Sequence, residues 1–445
     1  MRAPKPRLGR RGLLLGASLP LLAGCETLED WFGRPTPRLP GERSPILAEE
    51  AALTADEGLE PIALPPPEPR REWLQTLGSP AHIPGHPAAA DRLAVAWTAN
   101  VGTGASRRQR LISAPVIAGG RVFAMDALSR VSAFDLATGR NLWRADARPE
   151  EETTGGLGGG LAVEGELLVV VSGFAEVLGL SVNDGSIAWR RRLPAPARGA
   201  PGVAEGRAFV PTLEGQMLAV RLDSGEIAWT YRGSGGGAGL LGIPAPAIDA
   251  GTVIGAFPSG EVAALRPDTG RVLWVESLAA TGGLAPLNEL SSVRAAPIIS
   301  QGRVIALAGG GLFVSLDLRS GRRVWEREVG GTENAWLAGD WLFAVTNEQL
   351  VAAFSRRDGR AKWVRQLQPF EDMQRRRDPI RWVGPTLAGD RLIVTNSRRD
   401  ALALSPYTGE ELGTQRLPNP AAMPAIVADG TVLFLTEDAT LVALR

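Results

Sequence analysis

The chain repeats itself, and a repeat constrains the fold of a 445-residue chain more than any local feature does. Each unit opens on a short β-rich run and passes a Val/Leu-x-Ala-Leu/Phe step. It then reaches an Asp-x-x-Ser/Thr-Gly turn, with Trp four residues beyond the glycine. The pattern carries Gly139 to Trp143, Gly185 to Trp189, Gly225 to Trp229, Gly270 to Trp274, Gly321 to Trp325 and Gly359 to Trp363. A further turn at Gly409 leads instead to Gly413. Pro115, Pro201, Pro246, Pro297, Pro385 and Pro424 open their units, whereas two units start without proline, around Leu161 and Trp336.

The physical chemistry of one unit dictates the rest. Runs such as Val131-Ser132-Ala133-Phe134 have the period of a strand. The turn closes a hairpin on a residue whose positive φ suits glycine. A large flat Trp just beyond it fits between neighbouring sheets. Such a sheet cannot bury its faces alone, and units spaced by roughly 40 to 50 residues stack as propeller blades. The last unit runs from Pro424 to Leu441-Val442-Ala443-Leu444 and has no turn-and-Trp strand. The missing strand stands ahead of the first complete unit as Ala94-Val95-Ala96-Trp97. The expectation is an all-β, eight-bladed propeller of four-stranded antiparallel blades over residues 91–445, with the last blade closed by the N-terminal strand. Such closure removes open sheet edges.

Residues 1–24 read as a signal peptide: Arg2, Lys5, Arg7, Arg10 and Arg11 precede a short apolar stretch from Gly12 to Leu22. The stretch is too short to span a bilayer as a stable helix. It runs into Leu22-Ala23-Gly24-Cys25, a bacterial lipobox, which makes Cys25 the expected lipidation site and first mature residue. Arg10-Arg11 also allows a twin-arginine export signal. Residues 25–90, rich in proline and small or charged residues, read as a tether from the membrane. His82 and His86 fall there; Pro84, Gly85 and Pro87 forbid the helix on which they could share a metal.

Composition excludes several functions. Lys plus Arg equals Asp plus Glu at 48 each, so there is no net basic field for nucleic acid. Cys25 is the only cysteine and both histidines precede the propeller, so neither a thiolate zinc site nor a His-based catalytic triad is expected in the blades. No phosphate-binding Gly-x4-Gly-Lys-Ser/Thr motif occurs. No catalytic residue, metal or cofactor is expected.

The Asp-x-x-Ser/Thr-Gly-x-x-x-Trp unit resembles the PQQ-type propeller repeat. Quinoprotein dehydrogenases carry this repeat, with an adjacent Cys-Cys pair beside the quinone; the absence of cysteine from the blades here counts against them. The second group with this repeat is the outer-membrane protein assembly factor family BamB. The chain resembles it in the lipobox, in Gly41-Glu42-Arg43, in the repeat number and in the stretch from Leu287 to Gly339. The resemblance implies a monomeric scaffold lipoprotein on the periplasmic face of the outer membrane. Its partner would be the POTRA domains of the barrel subunit BamA, which it helps to fold and insert barrels. The family's contact loops map to about 239–242 and 289–294, making Leu240, Leu241, Ser292, Val293 and Arg294 the candidate contacts. Leu241 stands where enterobacterial members carry Arg, and Ser292 and Arg294 stand in place of two Asp. A quinone-dependent dehydrogenase-like protein and a periplasmic propeller with an unrelated partner remain the alternatives.

One insertion stands apart. Residues 370–382 join Arg375, Arg376 and Arg377 to Phe370 and Trp382, a composition suited to a second protein contact or to anionic headgroups. The plainer alternative is a solvated loop with Trp382 tucked into the core.

Overall fold

The computed structural model describes residues 53–106, 109–152, 158–234, 242–278 and 293–445. Eight four-stranded antiparallel sheets form the blades, as the repeat predicts. The first and outer strands are Val116–Ala118 and Asn141–Asp146 in blade 1, Gly159–Glu164 and Ile187–Arg192 in blade 2, and Gly202–Ala204 and Ile227–Arg232 in blade 3. Blade 4 runs from Ala247–Asp249 to Val272–Ser277, blade 5 from Ile298–Ser300 to Arg323–Arg327, and blade 6 from Trp336–Ala338 to Ala361–Gln366. Blade 7 runs from Trp382–Leu387 to Glu411–Arg416. Blade 8 takes three strands from residues 426–444 and its outer strand, Val95–Asn100, from the other end of the propeller sequence. That strand pairs Val95 with Leu444, Thr98 with Val442 and Asn100 with Thr440.

First strands of successive blades lie beside one another around the axis. The middle strands read as continuous apolar runs, as in Trp341–Val345, because each is covered by a blade on either side. Outer strands alternate with solvent: Val272, Leu273 and Val275 of blade 4 are exposed while Trp274 is buried.

The Trp of the repeat closes the interfaces between blades. Trp97, Trp143, Trp189, Trp229, Trp274, Trp325 and Trp363 each donate Nε1–H to a main-chain carbonyl of the next blade, at 2.7–3.1 Å. Each ring also covers the turn glycine of that next blade. Those glycines have φ between 69° and 74°, and a Cβ added to any of them would sit 2.5–2.7 Å from the ring. Glycine is therefore required twice, by the left-handed turn and by the ring lying on it. Gly413 becomes intelligible in the same terms. A Trp there would lie over the turn joining the last two strands of blade 8, and those strands come from opposite ends of the propeller sequence, so no such turn exists.

The segment expected to be a solvated tether is corrected by the structure for residues 53–90, which form one compact unit with the blades. Residues 25–52 of that expectation, with Cys25 and the signal peptide, lie outside the described residues. Between Arg70 and Ala89 the chain makes one circuit of the axis, meeting the first strand or first turn of each blade in order. Asp429 of blade 8 donates to the Arg70 carbonyl, Trp73 exchanges two main-chain bonds with Ile117 of blade 1, and Val163 of blade 2 donates to Leu74. The Gln75 side chain donates to the Val203 carbonyl and accepts from the Val203 amide of blade 3. Ile248 of blade 4 donates to Pro80, and Ile299 of blade 5 donates to Ala81. Gly85 then donates to Leu337 of blade 6, and Gly389 of blade 7 donates to Pro87. Ala89 returns to Gly430 of blade 8 as a parallel bridge.

The cause lies in the sheets. Each first strand is paired on one side only, and its other edge turns unmatched N–H and C=O groups toward the channel. The strap supplies their partners. Trp73 stacks on Trp336 with ring centroids 5.8 Å apart. Gln75, His82 and His86 are buried beside it. His82 Nδ1 lies 2.7 Å from the Pro297 carbonyl. The nitrogens of His86 lie 2.7 Å from the carbonyls of Pro65 and Gly389. Both histidines are thus strap fasteners.

Candidate functional site

The two ends of the propeller are chemically different. One end carries the turns between first and second strands and the Gly turns before the Trp strands, and the strap is bound there. The opposite end carries the loops that lead from each outer strand to the first strand of the next blade. The two expected contact loops, 239–242 and 289–294, are connections of this second kind, flanking blade 4.

Leu240, Leu241 and Ser292 lie outside the described residues, but the roots of both loops are described. At the first loop, Glu261 anchors the start: it accepts from Tyr231 Oη at 2.7 Å, from the Ser234 amide at 2.8 Å and from the Ser234 hydroxyl. Burial and the Glu261 carboxylate push the Tyr231 phenol well above its ordinary range, so it stays a donor at neutral pH. The far root is held by Ile243, whose amide donates to Arg198 at 3.1 Å. The second loop starts at Leu278, which donates to Gly260 at 2.8 Å, and ends at Val293. Val293 is 1 % exposed and bridges to Ala308, so this candidate contact is a packed root whose side chain is not presented to a partner.

Arg294 occupies the next position, and here the structure brings the two loops together. A Cβ added at Gly242 would lie 3.9 Å from Arg294 Nη2. Loss of hydration holds the Glu333 carboxyl above the usual carboxylate range, against smaller downward pulls from Arg381, the Gly384 main chain and Arg294. Sequence reasoning missed Glu261 and Glu333, since single carboxylates in separate blades carry no spacing that marks them.

The insertion at 370–382 lies on the same end. It folds as a small hairpin pairing Phe370–Asp372 with Arg377–Pro379. Trp382 is 8 % exposed and donates Nε1–H to the Gln368 carbonyl at 2.8 Å, while Arg375, Arg376 and Arg377 are exposed at the tip. The aromatic residue belongs to the core and the arginines to solvent. Among the described residues no group of three or more His, Cys, Asp or Glu is placed to hold a metal ion.

By structure, the chain is similar to BamB from Moraxella catarrhalis, with a TM-score of 0.68 at 18% identity over 80% of this chain and 100% of that one. It is also similar to a quinohemoprotein alcohol dehydrogenase from Comamonas testosteroni, with a TM-score of 0.66 at 14% identity over 84% of this chain and 80% of that one. At such identities these likenesses show the fold alone. By sequence, outer membrane protein assembly factor BamB of Yersinia pestis is 28% identical over 272 residues, 60% of this chain and 69% of that protein. The protein of the same description in Salmonella typhimurium is 27% identical over 353 residues, 78% of this chain and 88% of that protein. The family profile described as outer membrane protein assembly factor BamB matches residues 127–365, more than half of the chain, and the chain therefore belongs to that family.

Proposed function

We propose that this chain is a non-enzymatic scaffold of the β-barrel assembly machinery. Cys25 anchors it by lipid to the periplasmic face of the outer membrane, and the loop end of the propeller holds the POTRA domains of a BamA-type barrel subunit. It acts as a monomer within that complex and assists folding and insertion of outer-membrane barrels.

The observation that carries this reading is the asymmetry of the two ends. The strap occupies the turn end through main-chain bonds to its blades, which leaves the loop end to a partner. There the roots of both expected contact loops meet at Gly242 and Arg294, so residues from two loops can act as one surface. Loops carried on a rigid scaffold of strands are the usual arrangement for binding sites. Arg294 replaces an acidic residue of enterobacterial relatives, which calls for a partner surface of complementary charge.

The test is mass spectrometry of proteins that co-purify with the C-terminally tagged chain from gently solubilised membranes. Stoichiometric recovery of the barrel subunit, lost in Arg294→Glu, supports the reading. A different enriched partner, or equal recovery with both chains, refutes it.

A further inference from the structure

The repeat supplies its own control for detecting an unusual residue. In each clamped interface the Trp of one blade donates to the carbonyl of one residue in the next blade's turn. At six interfaces that residue is apolar: Leu136, Val182, Leu222, Pro267, Leu318 and Pro406. At the interface between blades 5 and 6 it is Arg356, which accepts from Trp325 in the ordinary way yet places a guanidinium where the others place hydrocarbon. Arg356 is 8 % exposed.

A buried guanidinium is costly unless its donors are matched. Arg356 Nη2 donates to Gln301 Oε1 at 2.7 Å and to Asp340 Oδ1. Arg357 donates to the other oxygen of Asp340 at 3.0 Å. The two guanidiniums hold the Asp340 carboxyl below its usual range. The matching stops there. Arg356 Nε and Arg303 Nη1 are both buried without a hydrogen-bond partner among the described residues. Gln301, Arg303, Asp340, Arg356 and Arg357 line a cavity of about 360 Å³. Three guanidiniums against one carboxylate thus line a space large enough for a tetrahedral oxyanion, an excess of positive charge that an anion would balance.

We propose that this cavity is a binding site for a phosphate-type oxyanion. The planar fork of arginine matches such an anion in geometry as well as charge. The cavity also lies on the strap end, beside the segment that precedes the strap. The Pro65 ring abuts Gly339, next to Asp340, and Asp56 pairs with Arg327 of blade 5 at 2.9 Å. Two sources share the chemistry: free phosphate and the phosphate of a lipid headgroup. The headgroup source rests on the lipid-anchor reading above; oxyanion binding itself does not.

The test is calorimetric titration of the full chain with inorganic phosphate and, separately, with short-chain phosphatidylglycerol below its micelle concentration. Saturable binding near one site per chain is expected. Arg356→Leu restores the residue type found at the other interfaces, so it keeps the fold, confirmed by an unchanged circular dichroism spectrum. It should weaken binding by at least about tenfold, the loss expected for a charge-assisted hydrogen bond. Asp340→Asn removes the competing carboxylate and should tighten binding. Tighter binding of phosphatidylglycerol than of phosphate supports the site and assigns it to a headgroup; the reverse order supports the site and assigns it to the free ion. No saturable binding of either ligand, or equal binding by Arg356→Leu, overturns the proposal.

Discussion

Acid should loosen the strap before it loosens the blades. The chain has only two histidines, His82 and His86, and both fasten the strap. Burial lowers the pKa of His82 from 6.5 to about 4, against a smaller upward pull from its hydrogen bond to the Pro297 carbonyl. The sign follows from which state takes the proton. Below pH 6.5 the released strap binds a proton at His82 that the docked strap refuses until about pH 4. The stabilisation is therefore complete above the free value and is lost as the pH falls between the two. From those two values the loss at pH 5 is about 2 kcal/mol, or roughly thirtyfold in the docking equilibrium. Hydrogen exchange reads it at the amides bonded across the strap, Gly85, Ile248 and Ile299. After correction for intrinsic rates, their protection should fall about thirtyfold from pH 8 to pH 5. His82→Asn keeps a polar side chain but cannot titrate, so much of that pH dependence should vanish. Protection that is flat over this range, or an undiminished fall in His82→Asn, would refute the reasoning.

Other perturbations follow from the same geometry. Gly359→Ala puts a Cβ 2.6 Å from the Trp325 ring at φ 73°, and should cost about 2–4 kcal/mol in urea unfolding, whereas Gly430→Ala, with open space around it, should cost only the backbone strain. Gln75→Leu strips the Val203 amide and carbonyl of their partners, so limited proteolysis should cut the strap faster while the blades keep their circular dichroism spectrum. Reversing the exposed Arg375, Arg376 and Arg377 to Glu should leave thermal stability nearly unchanged; weaker recovery of the membrane complex would mark the hairpin tip as a contact.

The blades were legible because their information is local and repeated. The Gly-x-x-x-Trp spacing, the alternating runs and the turn residues each specify a strand or hairpin within a few positions. Repetition then specifies stacking, and the unit missing its last strand specifies how the ring closes. Gly413 was visible as an exception, yet its reason needed the knowledge that blade 8 lacks the turn on which a Trp would rest. The expected contact loops rest on resemblance, and their sequence alone does not tell Val293, packed in a root, from Arg294.

The strap shows where local reading fails. Its prolines and small residues have neither helical nor strand periodicity, so by composition it cannot order itself. Its order comes from main-chain edges that exist only after the blades have assembled, and prolines suit this role because their carbonyls accept while they have no N–H that needs an acceptor. Pro65, Pro80, Pro84 and Pro87 all accept hydrogen bonds there. Likewise Arg356 looks like any turn arginine in the sequence, and only the neighbouring blade turns it into a buried cation facing Arg303. Amino-acid sequence by itself determined the blade and the blade count, because those depend on neighbours along the chain, and the closure, because the last unit lacks a strand that the start of the propeller sequence carries. The tertiary structure decided which end is occupied and which buried groups lack partners, because those depend on neighbours that only folding brings together.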